Sequence, residues 1–190
     1  MFEDFGPNPG APTELHEELR STLQAPEQQH SVLFGKRTPG TSWSAMSANT
    51  KRASPFVFYF PGRVARIHAY IDGNGATSGS QVVRAVLYRR DPQTGGPGAY
   101  VARSFEFTVP AGMSARWVPF WLAPPAQLQP GVYWLGLQSA GQHGVARYAW
   151  DSSPNSRRYN VDIDADGPSD PFGQAFSDDQ QLSIFAFGSY

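Results

Sequence analysis

The sequence lacks cysteine, long hydrophobic runs and a marked excess of either charge. Without cysteine the chain can form no disulfide, no thiolate metal site and no cysteine nucleophile. No run of about 18 apolar residues occurs, so we predict no membrane insertion. A formal net charge of -1 at pH 7 provides no overall field that attracts nucleic acid. We therefore expect no nucleic-acid partner and no insertion into a membrane.

Signatures of catalysis and of export are also missing. The four histidines, at positions 16, 30, 68 and 143, form no H-x-H or H-E-x-x-H pair of the kind that binds a metal. No G-x-S-x-G nucleophile elbow occurs. The first ten residues, "MFEDFGPNPG", have neither a basic nor an apolar region, so they are not a Sec signal peptide. We expect a non-enzymatic protein with no catalytic residues.

What the sequence does contain is short segments rich in β-branched and aromatic residues. From about residue 42 onward, segments such as "SPFVFYF" and "GVYWLGLQS" are separated by turns rich in glycine and proline. No second helix and no alternation of strands with helices appear, which indicates an antiparallel fold. We predict an all-β antiparallel β-sandwich over residues 41–190, a jelly roll of about eight to ten strands.

Residues 1–40 are predicted to be an N-terminal arm with one short amphipathic helix. In "TELHEELRSTLQ", Thr13 can cap the helix, and Leu15, Leu19 and Leu23 make a narrow apolar stripe. A three-turn helix of this kind cannot fold alone, so it must pack on the main domain or on a partner.

The arm also carries Phe2 and Phe5 near its end, and we interpret these as anchors for an interface. The hypothesis is that the arm joins the protein to other subunits or to a second copy of itself. The alternative is that it covers an edge strand of its own domain.

Alternation along two strands defines a predicted hairpin. In "RVARIHAYID", Ala65, Ile67, Ala69 and Ile71 share one face, and Arg66, His68 and Tyr70 share the other. In "QVVRAVLYRR", Val83, Ala85 and Leu87 oppose Arg84 and Tyr88. If the two strands pair across "DGNGATSG", one face is core and the other is exposed. The expected core consists of Trp43, Phe56, Phe58, Ile67, Leu87, Phe105, Leu135 and Ile184.

The exposed face of this hairpin is a candidate binding surface for a glycan or a partner. Its members are Arg66, Tyr70, Arg84 and Tyr88, with Trp134 or Trp150 as further aromatic candidates. Aromatic and arginine side chains are enriched at binding surfaces. The alternative is an ordinary solvent face on which arginine stems cover tyrosine rings.

The segment "DIDADGPSD" concentrates acidic residues that resemble the start of a calcium loop. Asp162, Asp164 and Asp166 precede Gly167, and Asp170 stands at the ninth place. Gly173 replaces the usual glutamate at the twelfth place, so this is not an EF-hand.

A structural Ca²⁺ whose ligands are completed by Asp178 or Asp179 is one interpretation of this segment. A solvated acidic turn is the other. Crowded carboxylates repel one another without a cation, which favours the metal.

Several segments together resemble the β-sandwich modules, similar to carbohydrate-binding jelly rolls, of surface proteins from GC-rich bacteria and of phage tail proteins. The segments are "SANTKRASPF", "YIDGNGA", "VVRAVLYR", "GPGAYVARSFEFTVPAG" and "QPGVYWLGLQSAG", the last within an L-x-P-G-x-Y-W-L-G-L pattern. The resemblance covers residues 40–190 and implies the fold, but it specifies neither ligand nor catalytic residues.

Two functions are therefore expected. The first is a structural or attachment protein of a virus particle, such as a tail fibre, minor tail or capsid decoration subunit assembled through the arm. The second is a stand-alone extracellular carbohydrate-binding module. Either would place the protein on a virion or at an extracellular surface.

Overall fold

The computed structural model describes residues 31–141 and 144–189. The predicted helix and the arm residues Phe2, Phe5, Leu15, Leu19 and Leu23 lie outside these ranges. Residues 31–35, which belong to the predicted arm, form the first strand. Within the described ranges, no helix is long and apolar enough to cross a membrane.

The described chain is nearly all β, as predicted, and all of its strand pairs are antiparallel. It contains twelve strands, more than the eight to ten predicted, and one short 3₁₀ helix at Asp164–Asp166. The strands are β1 (Ser31–Gly35), β2 (Ser42–Ala45), β3 (Thr50–Phe58), β4 (Gly62–Asp72), β5 (Ser80–Arg90), β6 (Pro97–Arg103), β7 (Phe107–Pro110), β8 (Arg116–Leu128), β9 (Gly131–Ser139), β10 (Arg147–Val161), β11 (Phe176–Leu182) and β12 (Ile184–Ser189).

The strands form one hydrogen-bonded sheet in the order β1-β12-β4-β10-β3-β9-β5-β6. Strands β2 and β11 pair with β10, β7 pairs with β5, and β8 pairs with β4. The long strand β10 connects the two halves, because its beginning pairs with β2 and β4 and its end pairs with β3. Strand β4 is central in its half, with β12 on one side and β8 on the other.

Residues from both halves of this strand order form one large hydrophobic core. Phe58, Ile67, Leu87, Leu135 and Ile184 are buried in it, which confirms their predicted positions. Two further aromatic residues of the predicted core, Phe56 and Trp43, are half-buried.

Phe105 was predicted to be buried, and this is wrong, since it is 66 % exposed. Alternation of buried and outward-facing residues continues past the end of β6, where Ala102 is buried and Arg103 is not. Ser104 takes the inward position there, and its Oγ accepts a hydrogen bond from the Ala85 amide at 2.9 Å. The next residue, Phe105, is consequently turned to solvent.

The predicted hairpin between β4 and β5 does not form. Strand β4 pairs with β8, β10 and β12, and β5 pairs with β6, β7 and β9. At the end of β4, Asp72 is buried and binds Arg147 of β10, with 2.9 Å between Arg147 Nε and Asp72 Oδ1. The chain after Asp72 is therefore tied to β10 and does not fold back along β4.

The faces predicted for each strand separately are largely correct. Val83, Ala85 and Leu87 all point into the main core. On β4 a bulge between Val64 and Arg66 shifts the alternation, so Val64 is buried and Ala65 is only half-buried. A local bulge of this kind leaves no clear mark in a hydrophobic pattern.

A second, smaller core lies on the opposite side of β3, β9 and β5. It contains Ala53, Val86, Tyr88, Trp134 and Phe172. Strands β9 and β3 lie very close together here, because a Cβ on Gly136 would lie 2.3 Å from the carbonyl oxygen of Arg52. This contact explains the glycine in the segment "YWLGL".

Candidate functional site

The acidic segment does not gather its carboxylates around one point. Asp162 Oδ2 lies 2.7 Å from Lys51 Nζ, and Asp164 Oδ1 lies 2.9 Å from Arg84 Nε. Asp170 Oδ1 accepts a hydrogen bond from the Tyr100 amide. Asp166 is exposed.

The two residues proposed to complete a calcium site are also engaged elsewhere. Asp178 forms an ion pair with Arg157, and Asp179 accepts a hydrogen bond from the amide of Asn155. In the described part of the chain, no group of three or more metal-ligating side chains could hold a metal ion. The repulsion among the carboxylates is thus relieved by separate protein donors, and calcium binding stays a prediction.

Lys51 and Asp162 form the centre of a closed polar cluster beside the smaller core. Lys51 is fully buried, and its Nζ lies 3.2 Å from Tyr88 Oη and 4.3 Å from the centre of the Phe172 ring. Asp162 accepts hydrogen bonds from the amide and the hydroxyl of Ser169, at 3.0 and 2.5 Å. Burial lowers the pKa of Lys51, although its contacts with Asp162 act in the opposite direction. The cluster fastens the segment after β10 onto β3.

Tyr88 belongs to this cluster and not to an open surface, so its predicted place on an exposed sugar platform is wrong. Its ring is fully buried against Phe172, with 4.9 Å between ring centres, and its hydroxyl donates to the Ser169 carbonyl. Arg84 is held by Asp164 and Glu106 on the same half of the sheet.

The tryptophan candidates are packed to different degrees. Trp150 is half-buried, and its Nε1 donates to Ser44 Oγ at 2.9 Å. Trp134 is only 2 % exposed. Neither therefore presents a fully open ring face for stacking.

Arg66 and Tyr70, in contrast, do lie together on the outer side of β4, within a larger aromatic surface. We call this surface the aromatic face; it consists of Trp43, Arg66, His68, Tyr70, Trp117, Trp121, Phe185 and Phe187. Strand alternation explains its composition, because Ile67, Ala69 and Ile71 on the other side of β4 enter the core.

Strand register arranges the aromatic face in rows across β12, β4 and β8. Arg66 stands opposite both Phe187 and Trp121, and its guanidinium lies 4.1 Å and 5.0 Å from the centres of their rings. Next along β4, His68 stacks on Phe185 with 4.7 Å between ring centres.

The third row of the aromatic face pairs Tyr70 with Trp117, and Trp43 of β2 adjoins it. The centre of the Tyr70 ring lies 5.3 Å from that of Trp117 and 5.8 Å from that of Trp43. At strand spacings of roughly 3.3 Å per residue and 4.8 Å between strands, the rows cover an area of about 13 by 10 Å.

The aromatic face is partly open and nearly uncharged. Trp121 is 52 % exposed, and the other members are half-buried. Burial, and secondarily the nearby charge of Arg66, lower the pKa of His68, so its imidazole is neutral at pH 7. Arg66 Nε is buried without a hydrogen-bond partner among the described residues.

Two features of this surface were missed in the sequence. Trp117 and Trp121 are four residues apart on one strand, so period-two alternation places them on the same face. That signal was available in "RWVPFW". The pairing of β8 and β12 on either side of β4 could not be predicted from the sequence, because it joins segments far apart in the chain.

The comparisons with known proteins leave the family open. No protein-family model matches the chain, and no curated protein matches it.

Proposed function

We propose that this chain is a non-enzymatic attachment protein, a β-sandwich of the jelly-roll type whose aromatic face binds carbohydrate. The observation that carries the proposal is the set of rows across β12, β4 and β8. Sugar rings present C–H surfaces that stack on aromatic rings and hydroxyl groups that accept hydrogen bonds from arginine. The half-open rings and Arg66 supply both kinds of contact. The large core shared by both halves of the sheet path supports the sandwich.

The setting follows from the same proposal. Such a protein serves either as the outward-facing subunit of a virus particle or as a free extracellular carbohydrate-binding module. Aromatic-rich, nearly uncharged surfaces favour neutral oligosaccharides over polyanions, since only Arg66 carries a charge within the rows.

Glycan-array screening of the full chain, followed by calorimetry on the best ligand, tests this function. Trp121→Ala and Tyr70→Ala should each weaken binding at least about tenfold, or roughly 1.4 kcal/mol. Phe60→Ala is the matched control, because Phe60 is 58 % exposed but lies outside the aromatic face. Unchanged binding by both variants, or binding to no glycan at all, would refute the proposal.

A second candidate, assembly with other subunits of a virus particle or with a second copy, is favoured by an open groove beside β1 that exposes several hydrophobic side chains. The groove has a volume of about 520 Å³ and is lined in part by Leu33, Val57 and Tyr59. These three side chains are 42 %, 45 % and 72 % exposed. Leu33 is the first residue of the chain that lines the groove, so residues 1–30 precede this lining residue closely in the sequence.

Deleting residues 1–30 tests this assembly role. An assembly arm predicts a folded monomer that no longer associates, as measured by light scattering after size exclusion. A segment that covers its own domain predicts a lower melting temperature and aggregation. A full-length chain that is monomeric at all concentrations would contradict self-assembly.

A further inference from the structure

A separate cavity of about 280 Å³ lies where β2, β3, β10 and β11 meet. Its lining includes Arg52, Tyr148, Arg157, Tyr159 and Phe176. Phe176 is 70 % exposed, so the cavity reaches solvent, whereas Tyr148 is only 3 % exposed. None of these residues belongs to the aromatic face. We call this site the arginine cavity.

Arg52 is buried in the arginine cavity without a counter-charge. It is 4 % exposed, its guanidinium donates to Thr50 Oγ1, and it lies 5.2 Å from the centre of the Tyr148 ring. Within residues 31–141 and 144–189, no carboxylate lies within ion-pair distance of it. Buried arginines are almost always paired, because a buried charge without a partner is costly.

The second guanidinium of the cavity, Arg157, is already neutralised. Its Nε donates to Asp178 Oδ1 at 2.9 Å, and a second hydrogen bond joins the same two side chains. Its remaining terminal nitrogen donates to the Tyr148 hydroxyl, which in turn donates to Gln180 Oε1 at 2.7 Å. These contacts hold one side of the cavity in place. The charge of Arg52 is therefore the one in the cavity lining that has no counter-charge among the described residues.

The protonation of Arg52 supports the same conclusion. Burial lowers the pKa of Arg52 to about 10; Tyr148 acts against this shift and Arg157 adds to it. The guanidinium is therefore still charged at neutral pH. An anion that enters the cavity would replace its lost hydration.

We propose that the arginine cavity binds an oxyanion, a carboxylate or a phosphate, on a ligand about one ring in size, with Arg52 as its counter-ion. The guanidinium fork matches either group with two parallel hydrogen bonds. Tyr159 and Phe176 offer aromatic surface to the rest of the ligand. The volume lies just below the range of about 300–1,000 Å³ for small-molecule sites, which restricts the ligand to a single ring.

Thermal-shift and calorimetric titrations of the full chain test the anion site with three probes: glucuronate, glucose 6-phosphate and neutral glucose. Both anionic probes, or one of them, should raise the melting temperature and bind more weakly as salt is added. A response to glucuronate alone assigns a carboxylate, and one to glucose 6-phosphate alone assigns a phosphate. An equal response to glucose, or no response to either anion, overturns the proposal.

Variants at position 52 separate binding from folding. Arg52→Met removes the charge and should abolish the anion-induced shift. Arg52→Lys keeps the charge but loses the fork, so binding should weaken about tenfold even if the methionine variant folds poorly. Arg89→Met is the matched control, since Arg89 is an exposed arginine of β5 outside the cavity. A folded Arg52→Met protein with an unchanged shift would refute the role of Arg52.

These titrations are independent of the aromatic face. Trp121→Ala should leave the anion response intact, and Arg52→Met should leave binding of a neutral oligosaccharide intact. If the protein binds the anionic probes but no neutral glycan, the anion site is supported and the proposed function is refuted. If it binds a neutral glycan but neither anionic probe, the proposed function is supported and the anion site is refuted.

Discussion

Lys51 and Arg52 are neighbours on β3, and both are buried, yet their surroundings differ in kind. Strand alternation sends Lys51 to the smaller core and Arg52 to the opposite side of the sheet. Lys51 is 0 % exposed and has Asp162 at 2.7 Å, whereas Arg52 is 4 % exposed and has no carboxylate partner in the described chain. The first is enclosed, and the second lines a cavity that reaches solvent.

The difference shows how burial of a charge separates structure from binding. A buried cation whose partner comes from the same chain is satisfied in the free protein and holds two segments together. A buried cation beside an open cavity still lacks a partner, and a ligand can supply one. Equal burial therefore leads to different expectations for stability and for ligand response.

The largest effect is expected when the ion pair of Lys51 is broken. Lys51→Met leaves the Asp162 carboxylate buried without its counter-charge, and Asp162→Asn leaves the Lys51 ammonium buried without its counter-charge. Each substitution should lower the free energy of unfolding, measured by urea denaturation, by about 3–5 kcal/mol. The double variant should cost less than either single change, because no uncompensated charge remains. If the double variant is as unstable as the sum of the single variants, the two groups do not act as a pair.

A smaller effect is expected from the phenylalanines near the two cations. Phe172 is fully buried against Tyr88 and beneath Lys51, so Phe172→Ala should cost about 3 kcal/mol, the lower end for such a change, because the adjoining loop can partly collapse. Phe176→Ala should change stability by less than about 0.5 kcal/mol, since Phe176 is largely exposed. Equal costs would show that the arginine cavity is closed by packing and is not open.

The fold class was readable from the sequence because short alternating segments and turn residues are local signals. The faces of β4 and β5 were readable for the same reason, and so were five members of the core. Strand partners were not, since β4 pairs with β8 and β12 and not with the adjacent β5. Tyr88 shows the consequence: alternation placed it opposite Leu87, but a second core covers that side.

The burial of Lys51 and Arg52 could not be predicted from the sequence for a related reason. The dipeptide Lys51-Arg52 has the appearance of a solvated strand end, because charged residues rarely occupy the interior. The groups that contact them, Asp162 for Lys51 and Tyr148 for Arg52, lie about a hundred residues away in the sequence. The acidic segment was interpreted as a calcium loop or a solvated turn. In the structure Lys51 compensates Asp162 and Arg84 compensates Asp164, and both cations come from strands distant in the sequence.

A third effect, smaller than that of Phe172→Ala, concerns pH and the unpaired charge of Arg52. Its pKa in the folded protein is lowered to about 10, mainly by burial, and so lies well below the pKa of an arginine in the unfolded chain. Below the folded value both states hold the proton, and the cost of burying the charge is constant. Above it the unfolded chain binds more protons than the folded one, so the stability contributed by this group rises with pH.

Arg52→Met lacks this titration and, without ligand, should be about 1 kcal/mol more stable than the wild type near neutral pH, because it buries no unpaired charge. Between about pH 9 and 10.5 the advantage should shrink by roughly 0.8 kcal/mol, as the wild-type guanidinium loses its proton in the fold. Comparing the two proteins cancels the titration of Lys51 and the tyrosines, which they share. A variant that is less stable than the wild type at every pH would mean that Arg52 is satisfied in the free protein, and the contrast with Lys51 would fail.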